Sequence, residues 1–185
     1  MSFGYCCVVI HFAAIGLGAN LPSPAGTPAQ TLLAAIDALA ESGTLVACSS
    51  LYSTEPVGVT GQPPFVNAAV TLSTALDPEP LLDRLLAIER RFGRDRNLSP
   101  PKGPRTLDLD LLLMDDLVLN SPRLTLPHPA LAERRFVLAP LGEIAPQLRH
   151  PALGKTIAEL LAALPNSGSN RIESVRKLYS PHSRP

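Results

Sequence analysis

Residues 103–113, GPRTLDLDLLL, join the pattern of a half-buried strand to a repeated negative charge. From Thr106 onward the side chains alternate, so Leu107, Leu109 and Leu111 share one face while Thr106, Asp108 and Asp110 share the other. Two carboxylates that point the same way, roughly 6.6 Å apart along a strand, repel each other unless cations sit on them. Paired catalytic metal ions typically lie about 3.5 to 4 Å apart, within reach of both acids. Taken alone, a DxD strand reads as an edge strand showing two aspartates to water. The preceding residues, GRDRNLSPPKGPR at 93–105, change that balance, because Arg94, Arg96, Lys102 and Arg105 hang over the acids among glycines and prolines that forbid regular structure. Carboxylates beside guanidiniums suit a polyphosphate, since Mg²⁺ takes a few carboxylates plus phosphate oxygens and arginine matches phosphate bidentately.

The chain has 185 residues, enough for one domain with a substantial core. Basic and acidic residues balance at 16 each, so no general positive field draws it to nucleic acid or to anionic membrane. Aromatic content of 4% with no Trp disfavours a stacking platform for single strands. Cys6, Cys7 and Cys48 form no CxxC and cannot all pair, which points to a reducing compartment rather than a disulfide framework or a zinc site. The apolar start, residues 5–15, is too short for a membrane span and lacks a charged leader. A cytoplasmic monomer with neither membrane nor nucleic-acid partner is the expectation.

Residues 8–15 read as a buried strand running into a glycine turn at GLGAN, and the absence of GxGxxG excludes a dinucleotide fingerprint. Thr27 caps a helix with Pro28 in its first turn, ending near Gly43. A second strand is predicted at 44–52, an irregular loop at 53–64, and a third strand at 65–73 with Phe65 and Asn67 on one face. The second helix starts at Asp77 or Pro78 and buries Leu81, Leu85 and Ile88; Glu89 falls in the same arc and needs an arginine, a ligand or a structural salt bridge. RLTLPHP at 123–129 is extended by its prolines, holding His128 among Arg123, Thr125, Arg134 and Arg135. Helices follow at 136–142 and 154–164. The domain is predicted over 1–165, with 166–185 a flexible tail. Helices alternating with strand pairs predict an α+β class, a ferredoxin-like α/β sandwich with a mostly antiparallel sheet flanked by helices.

Four motifs in order, STEPVG, FVNAAV, GPRTLDLDLLL and RLTLPHPALAERRFVLAPLGEIAP, resemble the 6-hydroxymethyl-7,8-dihydropterin pyrophosphokinase family of folate biosynthesis across residues 15–164. The resemblance implies transfer of diphosphate from ATP to the hydroxymethyl group of a dihydropterin, with AMP released and two Mg²⁺ ions held by Asp108 and Asp110. It implies catalytic roles for Arg94, Arg105, Asp108 and Asp110. Glu89, Arg96, Leu111, Arg123, Thr125, His128 and Arg134 would then lie about ATP. Phe65 and Phe136 would sandwich the pterin, Asn67 would bond its edge, and Thr54 and Val57 would offer backbone groups. The loop 93–103 would act as a lid. This sequence departs from the family in three places: Lys102 stands where many relatives carry Trp, Phe65 where Tyr is common, and Glu55 where Pro is frequent. A metal-dependent phosphohydrolase or nuclease using the same acids is the alternative reading. A non-catalytic ferredoxin-like module for RNA is a third, which the zero net charge disfavours.

Overall fold

The computed structural model describes residues 8–56, 61–95, 103–168 and 175–179. Strand β1, His11–Ala19, is followed by helix α1, Pro28–Leu39, whose start is fixed by a capping box in which Thr27 and Gln30 satisfy each other's backbone donors. Strands β2, Thr44–Cys48, and β3, Leu51–Thr54, both lie antiparallel to β4, Phe65–Thr74. Helix α2, Pro78–Arg91, leads to β5, Asp108–Met114, which pairs antiparallel with β1. The resulting βαβββαβ run gives the sheet order β5-β1-β4-β3, with β2 also on β4. The sheet is antiparallel and flanked by helices, as the alternation of elements predicts.

Beyond this run, the short pair β6, Leu119–Asn120, and β7, Thr125–Leu126, precedes helices α3, Arg135–Ile144, and α4, Ile157–Ala163. Strand β8, Val175–Tyr179, then adds to the sheet beside β3. Those five residues depart from the expected flexible tail. The five residues, VRKLY, set two cations among three apolar residues within a polar segment, and their pairing with β3 fixes the strand.

One sheet face packs Ala13, Ile15, Leu17, Val70, Leu72, Leu109 and Leu111 against Leu32, Ile36 and Leu39 of α1 and Leu81 and Leu85 of α2. The other packs Ala14, Ala69 and Leu113 against Leu138 and Leu141 of α3 and Ile157 and Leu160 of α4. Those two helices cover only part of their face. Where they stop, the outward positions of β1 continue as Gly16 and Gly18, and both line a cavity.

Three sequence expectations change. The glycines lie inside β1, not in a turn after it: Gly16 faces Asp110 and Gly18 faces Asp108 across the ladder, where small residues leave space above the sheet. The strand expected at 44–52 is two strands, broken where the Ser49 hydroxyl accepts the Ala69 N–H at 2.9 Å and interrupts the regular ladder. In β5 the pairing jumps from Ile15↔Leu111 to Ala14↔Leu113, so Leu112 is an extra, bulged residue. Strict alternation ends there, and Leu112 and Leu113 both join the second core while Leu111 stays in the first.

Candidate active site

The cavity above the glycines has a volume of about 300 Å³. Asp108 and Asp110 reach it from β5, Phe65 and Asn67 from β4, Thr54 from β3, and Arg134 and Phe136 from the start of α3, with Arg105 at its edge. The strand period accounts for this: residues two apart on β4 and on β5 share the face that α3 leaves open.

The acids are unequal. Asp108 is bracketed by guanidiniums, with Arg94 Nη2 3.5 Å from Oδ1 and Arg105 Nη1 3.3 Å from Oδ2. In Asp110, burial and then the neighbouring Asp108 charge push the carboxyl above its usual range, against the pull of His128, Arg105 and Arg134. Two carboxyls brought together on one side of a strand favour a cation between them.

Two arginines also touch the aromatic plates. The Arg105 guanidinium carbon lies 5.1 Å from the Phe65 ring centroid, and that of Arg134 lies 5.6 Å from the Phe136 centroid. Arg105 Nε is buried without a hydrogen-bond partner, as is the Thr106 hydroxyl beside it. A buried donor left this way favours an anionic ligand. Asn67 donates from Nδ2 to Thr54 Oγ1 at 2.7 Å, which fixes its carboxamide.

His128 is held through the bulge. Its N–H donates to the Leu112 carbonyl at 2.8 Å, and the Ala130 N–H donates to Nδ1 at 3.2 Å. His128 thus stands beside Asp110 without lining the cavity itself.

Other predicted site residues fall elsewhere. Leu111 is 3% exposed, with its side chain in the core opposite the acids, as alternation requires, so only its main chain can face a nucleotide. Arg123 is engaged by Asp83 at 2.5 Å and by Glu79 at 3.5 Å, because the β6–β7 hairpin packs beside α2 and draws the guanidinium to these acids. Thr125 bonds to the Asn120 side chain across the same hairpin, at 3.3 Å. Glu89 lies behind β5 and accepts the Leu109 N–H at 2.9 Å. Val57, Arg96 and most of the expected lid, with Lys102, lie outside the described residues.

Sequence reasoning missed Asn20. Its Oδ1 accepts the Arg105 N–H at 2.8 Å, and its Nδ2 donates to Gln62 Oε1 and to the Pro63 carbonyl, both at 3.1 Å. It therefore ties the cavity's arginine to the approach to β4. A lone Asn after glycines gives no signal of this. The small residues Gly16 and Gly18, spaced by two, were the available sign of a cavity floor.

Among the described residues no group of three or more His, Cys, Asp or Glu gathers to cage a metal ion. Two carboxylates on one side with guanidiniums above fit Mg²⁺ arriving with a polyphosphate, because that ion keeps few protein ligands and takes the remainder from phosphate and water. An α+β sandwich that opens half of one sheet face onto such a set belongs with the enzymes that transfer phosphoryl groups from nucleotides.

Comparison with known proteins narrows the class. Residues 14–146 match the family described as 7,8-dihydro-6-hydroxymethylpterin-pyrophosphokinase (HPPK). Over 158 residues the chain is 47% identical to the 2-amino-4-hydroxy-6-hydroxymethyldihydropteridine pyrophosphokinase of Pseudomonas aeruginosa, a match covering 85% of this chain and 94% of that one. With the enzyme of the same name from Methylorubrum extorquens it is 42% identical, covering 87% and 98% of the two chains. A Plasmodium falciparum HPPK-DHPS crystal structure superposes with a TM-score of 0.69 at 17% identity, over 92% of this chain and 49% of that one. That likeness concerns the fold, and this chain spans about half the length of the Plasmodium chain. The protein is a member of the HPPK family.

Proposed function

We infer that this chain transfers diphosphate from ATP to the hydroxymethyl group of 6-hydroxymethyl-7,8-dihydropterin, giving AMP and the dihydropterin diphosphate, a step of tetrahydrofolate biosynthesis. The observation that carries this reading is a single cavity in which Phe65, Asn67 and Phe136 stand beside Asp108 and Asp110. A flat heterocycle with a polar edge and a polyphosphate with its cations can therefore meet in one place. The balanced charge of the chain gives no general positive field for nucleic acid, which supports action on small molecules.

Asp108 and Asp110 would hold two Mg²⁺ ions. When bound, the ions supply Lewis acidity that neutralises charge on the phosphate oxygens. Phe65 and Phe136 offer ring faces to the pterin, and Asn67, oriented by Thr54, offers the carboxamide oxygen to its edge. Arg94 and Arg105 stand over Asp108, where phosphates would lie, and the unpartnered Arg105 Nε is free to donate to one of them. The hydroxymethyl oxygen bonds to the β-phosphorus and gives up its proton to solvent, as the bond from that phosphorus to the oxygen bridging the α-phosphorus breaks and AMP departs. Positioning and electrostatics carry such a displacement.

Incubation with ATP, Mg²⁺ and the dihydropterin should yield one AMP for each dihydropterin diphosphate. Formation of ADP or of free phosphate instead would indicate a kinase or a hydrolase. Asp108→Ala and Asp110→Ala should each abolish turnover through loss of the ions; full activity in either variant removes the metal assignment.

A further inference from the structure

Glu89 is 1% exposed near the C-terminal end of α2, an expensive place for a carboxylate unless the structure uses it. Its Oε1 accepts the Leu109 N–H at 2.9 Å. Leu109 is the residue between Asp108 and Asp110, and among the described residues β5 is an edge strand paired with β1 alone, so this amide has no strand partner there on its outer side. The main-chain carbonyl of Glu89 accepts the Arg94 N–H at 3.0 Å. Arg94 in turn reaches Asp108 at 3.5 Å, which closes a ring through Glu89, Leu109, Asp108 and Arg94. One residue therefore holds the strand that carries both acids with its side chain, and the arginine above them with its backbone.

We propose that Glu89 is a positioning residue for the transfer reaction, fixing the Asp108–Asp110 strand and Arg94 at a set separation from behind the sheet edge. It is not among the residues that line the cavity. Removing the acceptor frees the Leu109 amide at the sheet edge and lets the acids move relative to Arg94. A displacement of about 1 Å at a reacting centre can lower the rate by about 100-fold.

This inference rests on Asp108 and Asp110 as the metal-holding pair, so the test includes that pair. Mn²⁺ binding is measured by electron paramagnetic resonance with a non-transferable ATP analogue, beside kcat, KM for the dihydropterin and the unfolding midpoint. In E89L the acceptor is lost and the buried Leu109 N–H is left without it, so the unfolding midpoint falls as well. E89L should nevertheless keep its pterin KM, lose about 100-fold in kcat and bind Mn²⁺ about 10-fold more weakly. E89Q keeps a carbonyl oxygen for Leu109 and should stay within a few fold of the parent. E89D retains the charge but withdraws it by one methylene; should E89L not fold, E89D carries the test and should be impaired in both Mn²⁺ affinity and kcat. Parental Mn²⁺ affinity and kcat in the folded Glu89 variants overturn the proposal, as does a loss shared equally by E89Q and matched only by a lower midpoint. D110N separates the two readings: Mn²⁺ binding indifferent to D110N sinks the metal site, whereas binding that responds to D110N but not to Glu89 sinks only the role of Glu89.

Discussion

At Gly18 the backbone of β1 passes so close to β4 that an added Cβ would sit 2.9 Å from Asn67 Oδ1. In the proposed function that oxygen would accept from the pterin edge, and its carboxamide is already tethered to Thr54. Gly18→Ala therefore has to rotate Asn67 and break the tether. Loss of about one hydrogen bond's worth of binding, roughly 1 to 2 kcal/mol, should weaken dihydropterin about 5- to 30-fold, while a non-transferable ATP analogue binds as before. Titration calorimetry on Gly18→Ala, Asn67→Ala and the double variant checks this. If Gly18→Ala acts through Asn67, it should add little once Asn67 is gone; additive losses would assign the effect to the backbone instead. The pairing of Phe65 with Asn67, and of Asp108 with Asp110, was legible in the sequence because the strand period sets a face without knowledge of neighbours. The closeness of Gly18 to Asn67 was not, because it depends on the register between two strands separated by about fifty residues.

Among the elements, α3 does most to join distant parts. Its Glu143 accepts the Ser50 N–H at 3.0 Å, the Ser50 hydroxyl at 2.7 Å, the Tyr52 hydroxyl at 2.8 Å and Lys177 Nζ at 2.9 Å. Burial pushes the carboxyl up, but the hydrogen bonds from Lys177, Ser50 and Tyr52 outweigh it and hold the pKa at about 2, against an ordinary 4.5. For a carboxylate lowered on folding, the stabilisation is complete above about pH 4.5 and disappears as the pH falls toward 2. Part of this carboxylate meets solvent, so the contribution at neutral pH is about 1 kcal/mol, well below what the full shift would imply. Glu143→Gln should unfold about 2 to 4 °C lower at pH 7, and the two melting curves should converge as the pH approaches 2. A constant gap from pH 7 to pH 2 would show that the Glu143 charge is not the cause. The helix itself was placed in the sequence at 136–142, inside its observed span Arg135–Ile144. Its cross-links were not, because Ser50 and Tyr52 lie in a segment that reads as one continuous strand until the Ser49 hydroxyl breaks the ladder.

On the scale of the molecule, two helices close one face of the sheet and two others close part of the second, leaving the rest of that face for the site. The helix and strand alternation made this layering legible as far as β5. The added strand β8 was hidden, because VRKLY carries charge where an edge strand meets water and so resembles a solvated tail. Yet β8 pairs with β3, the strand that brings Thr54 to the cavity and through it orients Asn67. Deletion of residues 169–185 should therefore do more than trim the chain. Losing the ladder to β3 and the Lys177–Glu143 contact should remove about 1 to 2 kcal/mol, a fall of about 2 to 8 °C in the unfolding midpoint. The KM for dihydropterin should rise several-fold as β3 loosens, while the KM for ATP changes little, because the acids and arginines reside on β5 and its approach at the opposite edge of the sheet. Lys177→Ala, which keeps the strand and removes one contact, should lower the midpoint by a smaller amount and leave both KM values near those of the parent. Equal rises in both KM values after the deletion would mean that β8 supports the sheet as a whole, and an unchanged midpoint would mean that its pairing adds no stability.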